Sequence, residues 1–207
     1  MDLVISYLNQ FVSLMNEGGI VMWVLFVLNI FLWYALGYRY FALKRGTYGN
    51  VRRQVQKHFK RGEEQKMRGL LDYVIVDSIN ACKEAKNTDP KHCRNFVTDA
   101  ISPYHVDMQK YAVLIKTIVM LAPLIGLLGT VMGMIETFDA LQSSSMFAQG
   151  NSISGGISKA LFTTELGLVV AVPGLILGKV LDKQADKFEL EFEQIKDILS
   201  MRVNHEN

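Results

Sequence analysis

Three stretches of this chain exclude charge over the length a bilayer demands. A membrane-crossing helix needs about 20 mostly apolar residues. Ile20 to Tyr38 has one polar interruption, Asn29. Thr117 to Ile135 carries no charge, and Ala160 to Gly178 carries one, Glu165. A single window of this kind also fits a core helix of a soluble protein. Three of matched length, each flanked by charge, predict an all-α membrane protein with three transmembrane helices. The mean hydropathy of +0.17 agrees, because it suits a few spans with a charged remainder.

Charge predicts the direction of each crossing. Lysine and arginine gather on the cytoplasmic side of a membrane. Arg39, Lys44, Arg45, Arg52, Arg53, Lys57, Lys60 and Arg61 follow the first window, with no acid until Glu63. Lys179, Lys183 and Lys187 follow the third, whereas Asp139 to Ser158 contains no lysine or arginine. The N-terminus is therefore expected outside and the C-terminus in the cytoplasm. The basic run starts where a span ends, so we read it as a topology signal in contact with anionic lipid, not as a nucleic-acid patch.

The expected layout follows. Residues 1–19 form an outer amphipathic segment, with 3–15 lying on the membrane surface. Asp2 and Glu17 stand where a signal peptide would carry basic residues. Spans occupy 20–38, 117–135 and 160–178. Residues 39–116 form a cytoplasmic helical domain, 136–159 an outer connection, and 179–207 a cytoplasmic helix. Spans two and three are expected to extend into this cytoplasmic bundle.

In the cytoplasmic part, Thr88 or Asp89 followed by Pro90 is a helix-start signal. Pro103 is the expected kink or break before the second span, and Gly62 and Asn87 the expected loop positions. Leu181, Ala185, Phe188, Phe192, Ile195 and Leu199 repeat at the spacing of a bundle seam. Cys82 and Cys93 fit no metal or C-x-x-C pattern and are expected as free thiols. The four histidines are scattered and suggest no metal, no cofactor is indicated, and no nucleophile is paired with a base, so an enzyme is not expected.

The second and third windows are rich in small residues. On a helical wheel Ala122, Gly126, Thr130, Gly133 and Thr137 share one face. Ala160, Thr164, Gly167, Ala171, Gly174 and Gly178 share another. Such faces let membrane helices approach closely, so a packed hairpin of spans two and three is expected. The antiparallel spans place Thr130 about 9 Å inward of Glu136 and Thr164 about 7 Å inward of Lys159. The two hydroxyls are thus expected at one level, as a polar collar suited to a proton or hydrated cation. Thr163 and Glu165 flank Thr164 and count with it as pore-lining candidates. A carboxylate in a span is costly and functional by default. Glu165 is open to a proton relay, to a hydrogen bond with Asn29, or to a neutral state near the interface. Lys159 is expected to snorkel outward and to meet Glu136 or a partner's acid.

"APLIGLLGTVMGMIETF" (122–138) and "GGISKALFTTELGLVVAVPGLIL" (155–177) resemble the ExbB/TolQ/MotA family of inner-membrane stator subunits. Three spans and a short chain favour its ExbB branch. The resemblance implies a homo-oligomer, a pentamer, around the single spans of two copies of an ExbD-like partner. It further implies a periplasmic N-terminus, a path lined by Thr130 and Thr164, and work passed to a TonB-like protein that serves outer-membrane transport. Ala122, Gly126, Gly133, Ala160, Gly167, Ala171 and Gly174 would then pack helices and also face the partner. A TolQ-like subunit, or a scaffold without an ion path, is the alternative. Some ExbB proteins have glutamate where this chain has Lys159, so a role for that outer glutamate does not carry over.

Overall fold

A computed structural model of the chain describes residues 2–44, 50–61, 69–88, 93–143 and 149–205. The secondary structure of these residues is helical: α1 (Asp2–Glu17), α2 (Gly19–Ala42), α3 (Val51–Arg61), α4 (Leu70–Thr88), α5 (Cys93–Gln109), α6 (Ala112–Ser143) and α7 (Gln149–His205). Three helical runs are long and apolar enough to cross a membrane: Gly19–Ala42, Cys93–Asp139 and Ser154–Met201. Each contains one of the charge-poor windows. The chain divides into two compact units, residues 1–36 with 113–178, and residues 37–112 with 179–207.

In the first unit, α6 and α7 pack along their small residues and α2 lies against them. Leu32 is almost fully buried, and a Cβ on Gly174 would stand 2.8 Å from both Leu32 Cδ2 and Val119 Cγ2. Phe11 of α1 meets Phe26 of α2 edge-on, ring centroids 5.4 Å apart, and Met15 is buried, while Val4, Ile5 and Tyr7 of α1 stay exposed. The corner between them uses Gly19 in the left-handed region (φ 65°). Large apolar side chains such as Trp33, Leu124, Leu128, Leu168 and Val172 remain exposed on this unit. A surface like that calls for lipid or another chain.

In the second unit, the expected seam is the core. Leu181, Ala185, Phe188, Phe192, Ile195 and Leu199 are all buried, together with Val55 of α3, Ile75 of α4, and Val97 and Ile101 of α5. His105 meets Phe192 edge-on at 5.2 Å, and Arg94 bonds Asp197 at 2.7 Å on the surface.

Three expectations about this unit fail: a break at Pro103, free thiols at Cys82 and Cys93, and a loop at Asn87. Pro103 lies inside α5 and breaks nothing, and the helix stops instead at Lys110–Tyr111. Tyr111 takes a left-handed backbone (φ 62°), which costs a residue with a Cβ about 1–2 kcal/mol. Contacts from α2 offset that cost. The Arg39 Nε donates to the Met108 carbonyl (3.3 Å), one of the last carbonyls of α5 with no helical partner. Tyr38 stacks edge-on against Tyr111 (5.0 Å), and the Lys110 ammonium sits 5.3 Å over the Tyr38 ring.

The cysteines are the second correction. Cys82 and Cys93 are not free thiols but a disulfide, which ties the second half of α4 to the start of α5. Their Cα atoms are 5.2 Å apart, a distance set by the packing of the two helices and not by any local sequence signature. Asn87 likewise belongs to the last turn of α4 and not to a loop. Thr88 ends α4, while Gly62 and the Asp89–Pro90 signal lie outside the described residues.

Candidate functional site

The α6–α7 hairpin carries the candidate residues. Lipid offers no hydrophobic drive for helices to associate, so contact area and weak polar contacts must hold the pair, and small side chains provide both. The backbones approach until almost any added atom would collide. A Cβ on Gly133 would stand 2.7 Å from the Gly156 carbonyl oxygen, and one on Gly167 would stand 2.8 Å from that of Ala122. Ala122, Gly126, Gly133, Ala160, Gly167, Ala171 and Gly174 are all buried within the unit. Their small faces are therefore consumed inside one chain.

The buried faces differ from the helical-wheel expectation by one residue at the threonines, in the same way on both helices. The buried stripe of α6 runs Ala122, Gly126, Gly129, Gly133, Thr137, with Gly129 in the place assigned to Thr130. The stripe of α7 runs Gly156, Ala160, Thr163, Gly167, with Thr163 in the place assigned to Thr164. Spacings of three and four are both helical, so periodicity alone does not choose between neighbours. Thr130 and Thr164 sit half-buried at the rim of the hairpin, and Thr163 is fully buried inside it.

Gly126 meets Thr163 and Thr164, while Gly133 meets Gly156 and Ala160. This register places Thr164 about three residues deeper than Thr130, roughly 4–5 Å along the axes. The hydroxyls are near one level, though less closely matched than counting from Glu136 and Lys159 indicated. Each proton is spent locally. Thr130 Oγ1 donates to the Leu127 carbonyl (2.6 Å) and Thr164 Oγ1 to that of Ala160 (3.2 Å). What remains on each oxygen is acceptor capacity, the polarity that suits a cation.

At one end of the hairpin, the Lys159 ammonium bonds Glu136 Oε1 at 2.5 Å, as its place at the end of the span suggested. The Lys159 stem passes Gly19, where a Cβ would stand 2.8 Å from its Cε. With Leu32 against Gly174, α2 and α7 run parallel, and Glu165 lies level with about residue 24. Asn29 is then about five residues further along, roughly 7–8 Å, so this packing does not bring the two side chains together. Glu165 is exposed and, among the described residues, forms no hydrogen bond or ion pair.

Apolar helices gathered round a close-packed pair with two rim hydroxyls define a multi-pass membrane protein, and comparison with known sequences gives its kind. Residues 53–194 match the MotA/TolQ/ExbB proton channel family, and the chain belongs to that family. It is similar to an ExbB-like protein of Synechocystis sp., 29% identical over 198 residues, covering 84% of this chain and 73% of that protein. It is also similar to a biopolymer transport protein, exbB1, of Vibrio cholerae, 32% identical over 88 residues, 42% of this chain and 39% of the other. The biopolymer transport protein ExbB of Helicobacter pylori is 37% identical over 99 residues, 47% and 67% respectively. The matched lengths thus range from well under half to about three-quarters of these relatives. Three apolar helices and this membership make the chain a multi-pass protein of the bacterial inner membrane.

Proposed function

We propose that the protein is an ExbB-type subunit of an ion-driven motor that energises transport across the outer membrane. In this reading five copies ring the single spans of two copies of an ExbD-like partner. The N-terminus and the 136–159 connection face the periplasm, and residues 39–116 and 179–207 face the cytoplasm. Protons pass between ring and partner, and the work goes to a TonB-like protein. Family membership and the likeness to biopolymer transport proteins support this assignment.

One observation carries the path. Thr130 and Thr164 stand at the rim of one hairpin with their protons turned back to their own helices. Repeated around an axis, such oxygens form an acceptor collar in an otherwise apolar wall. Exposed Glu165 lies one residue beyond Thr164 and has no partner inside the chain's described part, which suits a group that meets the ion or the neighbouring subunit.

The test is Thr130→Val with Thr164→Val, which keeps side-chain shape and removes both hydroxyls. Energised uptake through the outer membrane should be lost while the complex still assembles, as read by the mass of the purified particle. Retained uptake would leave a scaffold with no ion path. Lost assembly would make these threonines packing residues.

A further inference from the structure

We propose that Thr163 and Gly129 are the positioning contact that fixes where the Thr130 and Thr164 hydroxyls face. Thr163 is then not part of the ion path itself. The inference rests on the proposed path through Thr130 and Thr164.

The two residues form a knob and a notch. A Cβ on Gly129 would lie 2.5 Å from both Thr163 Cβ and Oγ1 and 2.8 Å from its Cγ2. The Thr163 side chain thus occupies the space that the missing side chain leaves, and none of it is exposed. The knob is stiff. Its β-branch restricts χ1, and its hydroxyl lies 3.1 Å from the Lys159 carbonyl and 3.0 Å from that of Ala160, sharing one proton between them.

Position in the chain gives this contact its consequence. Gly129 directly precedes Thr130, and Thr163 directly precedes Thr164. Adjacent helical residues point about 100° apart, so a notch facing the hairpin seam sends both threonines to its rim. Turning α6 about its axis by about 20° would shift its Cα atoms by about 0.8 Å, a displacement that takes the Gly129 notch off the Thr163 side chain that fills it. Most other small-residue contacts of the hairpin abut backbone atoms and set distance. Thr137 against Gly156 is a second side-chain knob, but it lies nearer the connection. At the level of the two rim threonines, Thr163 holds the rotational phase.

The experiment measures proton uptake into proteoliposomes under an imposed potential. It uses the whole complex, purified from its native membrane through a tag on this chain, with particle mass checked for every variant. Gly129→Ala should cut the proton rate by about 10²-fold, the scale of a 1 Å misplacement, in particles of normal mass. Thr163→Ala added to Gly129→Ala should restore the rate to within a few-fold of wild type, because it empties the space the new methyl needs. Thr163→Val, which keeps the shape and deletes the hydroxyl, should conduct like wild type. A wild-type rate for Gly129→Ala, or no rescue in the double variant, overturns the proposal. So does loss of conduction in Thr163→Val, which would put the Thr163 hydroxyl in the path. Thr130→Val with Thr164→Val is the separate arm. If that pair conducts normally the path reading fails, whatever the size swap does.

Discussion

The Arg39 guanidinium, almost fully buried, bonds Asp182 Oδ1 at 2.6 Å across 143 residues of sequence. The same side chain closes the end of α5 at Met108. Asp182 is about 30% exposed and Arg39 only 3%, so the two ends of the pair are not equivalent. Removing the carboxylate strands a buried cation, whereas removing the cation leaves a carboxylate that water still reaches. Asp182→Ala should therefore destabilise by about 3–5 kcal/mol. Arg39→Met, which keeps an apolar stem in the site, should cost less. Denaturant unfolding of the detergent-solubilised protein measures both. The reverse order would mean that Arg39 matters chiefly as the cap of α5.

The glycines divide into two kinds, and substitution separates them. Gly133→Ala places a methyl 2.7 Å from the Gly156 oxygen and 3.0 Å from the Ala160 nitrogen, backbone that cannot step aside. We expect a loss of about 1–3 kcal/mol from the hairpin. Gly37 lies within α2, and a methyl added there would meet nothing within 4 Å. Gly37→Ala should therefore be neutral or stabilise by about 0.5–1 kcal/mol. Thermal unfolding midpoints of the two variants in one detergent make the comparison.

The disulfide closes a short loop, with Cys82 and Cys93 separated by 11 positions. Chain-entropy reasoning gives such a link about 2–3 kcal/mol. Protein isolated in air, out of the reducing cytoplasm where the proposed topology places this pair, should yield a linked peptide pair containing these two cysteines. Adding dithiothreitol should lower unfolding stability by about that amount, and Cys82→Ala with Cys93→Ala should remove the reductant's effect.

Glu165 forms no bond inside the described part of its own chain and lies in a span. Glu165→Leu should therefore ease insertion by about 2–3 kcal/mol on translocon-based scales and leave the hairpin folded. Proton movement should fall in this variant and also in Glu165→Gln, because neither side chain can exchange a proton. Wild-type flux in Glu165→Leu would remove the carboxylate from the path.

The spans and the seam were legible because both are set by composition along one helix. Ile20–Tyr38 excludes charge whatever it packs against, and Phe188 and Phe192 recur at a bundle's spacing. What sequence left open depends on partners distant in the chain. The break falls at Tyr111 and not at Pro103 because Tyr38 and Arg39, distant in sequence, stabilise it. The pairing of Cys82 with Cys93 comes from the way α4 and α5 meet. The assignment of Thr164 rather than Thr163 to the seam came from a wheel that accepts either neighbour. Only the fit of Thr163 against Gly129 decides it.

Passage of protons along the two rim threonines is the central claim. The direct measurement is proton uptake by proteoliposomes holding the complex purified from its native membrane, under an imposed potential, with and without Thr130→Val and Thr164→Val. We predict uptake by the wild-type complex and none above empty liposomes for the double variant, at equal particle mass. Equal uptake by the two would contradict the claim.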